Sequence, residues 1–127
     1  MDSKATGSNS LDAGALARLK ELDPDGRHGV VHRVLTAFES SLLRMLAQLQ
    51  VEMTPESGGG NPQVVATIAH TLKSSSASVG ALELAAACND VERRIRSGEP
   101  ASLPDDIARL LAEGEDALVA VRAMLRA

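Results

Sequence analysis

A chain of 127 residues with a formal net charge of −4 has room for one hydrophobic core, and its basic residues form no block of the kind a nucleic-acid surface needs. Phe38 is the one aromatic residue, which removes any stacking platform for bases or sugars and leaves a core of Leu, Ala, Val, Ile and Met. Cys88 is the one cysteine, so an internal disulfide is excluded, and no apolar run approaches the roughly 20 residues that span a bilayer.

Residues 1–10 lack the apolar segment of a signal peptide and read as a disordered lead into a single helical domain over 11–127, with a cytoplasmic location as the expectation. Asp12 suits a helix cap, and Leu16, Leu19 and Leu22 make a short apolar stripe, which predicts a first helix over about 12–22. Asp23-Pro24-Asp25-Gly26 stops it. Val31, Val34, Leu35, Phe38, Leu42, Met45, Leu46 and Leu49 recur at steps of three and four and predict a long second helix over about 28–53. The segment 54–62, with Pro55 and three successive glycines, reads as a flexible connection.

Asn61 as cap and Pro62 at the first helical position open a third helix that runs to about 79, where Gly80 interrupts it. A fourth helix is expected over about 81–97. A fifth begins near Pro104 and continues to about 125 on the stripe Ile107, Leu110, Leu111, Leu118, Val121 and Leu125, with Gly114 a local weakness. Aliphatic composition, four longer helices and short connections predict an all-α antiparallel four-helix bundle with a short additional N-terminal helix.

The segment from Ile68 to Ala81 carries the chemistry. On a helical wheel Val65, Ile68, Ala69, Leu72, Ser75, Ser76 and Val79 share an arc of about 120°, and His70 points from the opposite side, with Ala66, Thr67, Lys73, Ser74 and Ala77 within about 60° of it. The histidine thus sits on the solvent face, ringed by small side chains that let a docking protein come close, with one cation at i+3. Imidazole is nucleophilic in its neutral form near pH 7, and an ammonium one turn away could stabilise a dianionic group, such as a phosphoryl group, were one attached to the ring.

Spacing alone leaves the ordinary surface histidine open as an alternative. A hydrolytic pairing of His70 with Ser74 fails, because a helix surface offers neither an oriented base nor an oxyanion pocket. His28 and His32 are one turn apart but have no third ligand nearby in sequence, so no metal site is expected.

In the fourth helix Leu84, Cys88, Val91 and Ile95 form one apolar strip, and Ala85, Asn89, Glu92 and Arg96 form the flank beside it. In a hairpin turned at Gly80-Ala81 that flank can lie next to His70. Glu92 can then accept from Nδ1–H of the imidazole and leave Nε2 as the nucleophile, or it can pair with Arg96, its i+4 neighbour. Arg96 is a candidate for phosphate or partner contacts.

Ala69-His70-Thr71-Leu72-Lys73, followed by Ser75, Gly80-Ala81, Leu84, Cys88 and Glu92, resembles the signature of histidine-containing phosphotransfer (HPt) domains. The Leu11-Asp12 opening and the stretch from Val34 to Phe38 also look like that family. The resemblance implies a four-helix bundle whose exposed histidine shuttles phosphoryl groups between aspartates of response-regulator receiver domains. By position, His70 matches the phosphorylated residue, Lys73 the nearby cation, Gly80 the glycine that ends the segment, and Glu92 the polar residue near the imidazole. Ala66, Thr67, Ser74, Ala77, Gly80 and Arg96 are the candidate partner-binding residues.

The family usually has glycine where this chain has Ser74. The resemblance further implies receiver domains and a hybrid sensor histidine kinase as partners, Mg²⁺ on the receiver with no cofactor of the chain's own, and a monomer. No Gly-rich nucleotide loop is present, so the expectation is a carrier without kinase activity. A helical adaptor that binds such partners without transferring phosphate is the alternative.

Overall fold

Capping residues set the helix boundaries. The computed structural model describes residues 11–54, 60–98 and 102–126, so the expected lead 1–10 and the centre of the glycine-rich connection, 55–59, lie outside the described residues. The Asp12 carboxylate accepts the N–H of Ala15 at 3.0 Å and opens α1 (Ala13–Glu21). Asp23 does more than stop α1. Its buried carboxylate accepts the N–H groups of His28 at 3.0 Å and Val30 at 3.2 Å, which ties the loop down before α2 (Val30–Glu52). Asn61 accepts from Gln63 N–H at 2.9 Å, and Pro62 fills the first position of α3 (Pro62–Ser78). α4 (Leu82–Ser97) ends on left-handed Gly98, and α5 (Leu103–Arg126) opens with the N–H of Asp106 bonded to the carbonyl of Ser102.

The helices α2 to α5 run up and down in turn, each against the next, and α5 closes back on α2. Cross-links mark the antiparallel pairings: Arg122 with Glu39 between α5 and α2, and Arg94 with Asp106 and Arg109 with Asp90 between α4 and α5. Leu35, Leu42, Leu49, Val65, Leu72, Leu84, Val91, Ile107, Leu110 and Val121 fill the core, as the three- and four-residue spacing requires. At about 25 cal/mol per Å² of apolar surface, each such side chain stabilises the bundle by roughly 1.5–3 kcal/mol.

Two expectations change at this level. Leu22 is 71% exposed, because α1 ends at Glu21 and Leu22 is its C-cap; Ala15 is buried in its place, and Leu11 packs on the core. Gly114 is a packing residue and not simply a weak point: a Cβ there would stand 2.5 Å from Cδ2 of Leu46, so its absence lets α5 and α2 approach closely.

The turn between α3 and α4 positions the site. Gly80 holds φ +83°, its carbonyl accepts the N–H of Asp12 at 2.8 Å, and a Cβ on it would lie 2.6 Å from that same nitrogen. The start of α1 is thereby packed on the turn that aligns α3 with α4.

Candidate functional site

His70 stands on the outer face of α3, with its side chain 63% exposed. The core side of the same helix carries Ile68, Ala69, Leu72 and Ser76, all buried, so the 3.6-residue period alone turns the imidazole outward. Across the hairpin, α4 buries Leu84, Cys88 and Val91 and carries Glu92 up beside the ring.

Glu92 organises the site. Its side chain is only 10% exposed, and both carboxylate oxygens are occupied. Oε2 lies 2.9 Å from Nδ1 of His70 and accepts from Nε of Arg96 at 3.0 Å, while Oε1 accepts from Nζ of Lys73 at 2.9 Å. The two pairings that the sequence left as alternatives, with His70 and with Arg96, coexist on one oxygen. A carboxylate this buried needs such partners, because desolvation alone disfavours its charge. The Lys73 hydrogen bond is the largest influence on it. Burial opposes, the Arg96 and His70 bonds add to Lys73, and the carboxyl is held down to about 2 from an ordinary 4.5.

An ionised carboxylate can only accept, so the bonded Nδ1 carries the proton. In the neutral ring Nε2 then holds the lone pair, on the side of the ring away from Glu92. The arrangement provides a nucleophilic nitrogen on an exposed ring, a buried anion able to offset positive charge on that ring, and an ammonium at the edge, Lys73 being 34% exposed.

Thr67, Ser74 and Ala77 are exposed around His70, and Arg96 is 54% exposed at the α4 edge. Ala66 and Gly80 stand differently. Ala66, on the flank of α3 shared with Lys73 and turned toward α4, is 1% exposed, so the wheel's solvent-facing placement is corrected by helix packing. Gly80 is buried beneath Asp12 and has no free surface to offer a partner. An open groove beyond Thr67, lined by Gln48, Val51, Gln63, Val64 and Ile68, was not part of the expected surface. Its sequence signal is slight: Val51 falls off the core stripe of α2, and Val64 lies two residues inside α3 on the Thr67 side.

Cys88 is buried and its thiol is pushed up to about 12, chiefly by burial, so it serves as a small core residue. Among the described residues no group of three or more His, Cys, Asp or Glu is placed to hold a metal ion, and no helix is long and apolar enough to cross a membrane.

Among the described residues the up-and-down bundle presents an oriented imidazole on an open helix face beside a shallow groove lined by Lys73, Asn89, Glu92 and Arg96, an architecture that suits a group carrier meeting its reaction partner on another protein. The chain belongs to the Hpt domain family, whose model matches residues 33–127. It is similar to the crystal structure of histidine-containing phosphotransfer protein B from Pseudomonas aeruginosa, with 25% sequence identity and a TM-score of 0.73, over 91% of this chain and 94% of that one. No curated protein sequence matches at a significant level. As an Hpt domain the chain is a phosphotransfer carrier without kinase activity of its own.

Proposed function

We propose that His70 is the phosphoryl acceptor and donor of this carrier and that the group comes from, and returns to, aspartates of response-regulator receiver domains. The observation that carries the reading is the 2.9 Å contact between Nδ1 and the Glu92 carboxylate, which leaves Nε2 of an exposed ring free to attack.

The receiver brings an aspartyl phosphate and its Mg²⁺. Nε2 attacks phosphorus in line, the P–N bond forms as the acyl P–O bond breaks, and the aspartate leaves as carboxylate. The ring gains positive charge in this step, and Glu92 offsets it through Nδ1–H. Lys73, one turn from His70 and bonded through Nζ to Glu92, supplies nearby positive charge for the phosphoryl oxygens. The reverse sequence passes the group to a second receiver. The partner's metal and acidic pocket would supply most of the electrostatic stabilisation, so that an open helix face can take part.

The docking surface is the exposed ring of Thr67, Ser74 and Ala77, continued on one side by the apolar groove at Val51 and Val64 and on the other by Arg96. Its small side chains permit the close approach that in-line transfer needs. A hybrid sensor histidine kinase is the proposed upstream source.

The test is transfer from a panel of prephosphorylated receiver domains to the wild-type chain and to His70→Gln, whose side-chain amide can still donate to Glu92 and whose folding is verified by circular dichroism. Acid-labile, alkali-stable label is expected on the wild type alone. Absence of label on both proteins, with active donors that bind the chain, would replace the carrier with a non-transferring adaptor.

A further inference from the structure

We infer that Ser74 is a second phosphoryl-binding residue, its hydroxyl donating a hydrogen bond to an oxygen of the group carried on Nε2 of His70. The inference rests on the reading of His70 as carrier and concerns the flank of the ring that neither Lys73 nor Glu92 covers.

The ring's orientation comes first. Nδ1 is anchored to Glu92 on the α4 side at 2.9 Å, so Nε2 is directed away from α4. Lys73 and buried Ala66 lie on the α4 flank of α3. The other flank carries Thr67 and Ser74, both exposed. A phosphoryl group on Nε2 therefore points away from the α4 flank, toward the side of α3 that carries these two hydroxyl residues.

Hydrogen bonds separate the two hydroxyls. Thr67 Oγ1 donates to the carbonyl of Gln63 at 2.9 Å, Ser75 Oγ to that of Thr71 at 3.3 Å and Ser78 Oγ to that of Ser74 at 3.1 Å, so each is committed to the helix backbone. Ser74 Oγ makes no such bond among the described residues. Among the described residues within about 60° of His70 on the helix, it is the hydroxyl whose proton is not committed to the backbone, and phosphoryl oxygens are strong, charged acceptors.

The chemical consequence is a longer-lived phosphohistidine. Hydrolysis of a phosphoramidate proceeds through a loose transition state in which the non-bridging oxygens lose negative charge. A donor to those oxygens holds the ground state more strongly than the transition state and slows the loss of the group to water.

A partner-free experiment tests this. In a chain with His28 and His32 both changed to Gln, His70 is the one remaining imidazole of three. Potassium phosphoramidate then labels it directly: the P–N bond of the reagent breaks, the P–Nε2 bond forms and ammonia leaves. The lifetime of the label at pH 7 and its ³¹P resonance are measured for Ser74, Ser74→Ala and Ser74→Thr. The expected result is a lifetime shortened on the order of threefold to tenfold in Ser74→Ala, with a displaced resonance, and recovery in Ser74→Thr. Label on His70 with the same lifetime and resonance in Ser74→Ala would overturn the inference while leaving His70 as carrier. Failure to label His70 under conditions that label a histidine peptide would overturn the inference together with the reading beneath it.

Discussion

Glu92→Gln probes the site through its charge with almost no change of shape. In the wild type the carboxylate receives hydrogen bonds from Lys73, Arg96 and His70, and it is held at about 2 against an ordinary 4.5. A difference of that size corresponds to about 3 kcal/mol between the two protonation states. Lys73 and Arg96 are partly exposed, and screening by water reduces the expected value to about 1–2 kcal/mol at pH 7.

The sign follows from the direction of the shift. The folded state binds the Glu92 proton more weakly than the unfolded chain, so this stability is fully present above an ordinary carboxylate's pKa and is lost as pH falls from about 4.5 toward about 2. The glutamine variant has no such group to titrate. Urea unfolding of both proteins from pH 7 to pH 3 therefore should give a gap in favour of the wild type that shrinks to less than half of its pH 7 value at pH 3. Other carboxylates titrate alike in the two proteins and cancel in the difference. A gap that is constant with pH, or a variant as stable as the wild type at pH 7, would refute the three-donor account of Glu92.

Two further predictions concern the scaffold. Gly80→Ala should lower the unfolding free energy by about 2–4 kcal/mol, since a Cβ at φ +83° meets the backbone nitrogen of Asp12 at 2.6 Å and threatens the Asp12–Gly80 hydrogen bond; a loss under about 1 kcal/mol in urea unfolding would mean that the α1 start does not pack on this turn. Cys88, fully buried with its thiol pushed up to about 12, should react with an aromatic disulfide reagent only as fast as the protein opens, so the rate should rise with urea along the unfolding curve; immediate reaction at pH 8 in native buffer would contradict its burial.

Much of the molecule follows from local rules that operate along one helix at a time. Asp12, Asn61 and Pro62 cap helices wherever they occur, and the three- and four-residue steps from Leu35 to Leu49 require one buried face. The same period places His70 opposite Leu72 and Ser76 without reference to any neighbour, which is why the exposed histidine and the i+3 lysine were legible. Glu92 was legible as a candidate because a hairpin at Gly80 must bring the two helix flanks together; its share among three partners was not, since that depends on the register of α4 against α3.

The sequence by itself therefore determined the all-α class, the helix order and the outward histidine, because each depends on periodicity, capping and turn chemistry within a short stretch of chain. Tertiary packing decided the rest. It covered Ala66 although the wheel leaves it outward, left Leu22 exposed, set Gly114 against Leu46, and opened a groove beside Val51 and Val64. A wheel gives each side chain a direction, but burial depends on how closely and at what angle the next helix approaches, and that distance is a property of two surfaces packed together.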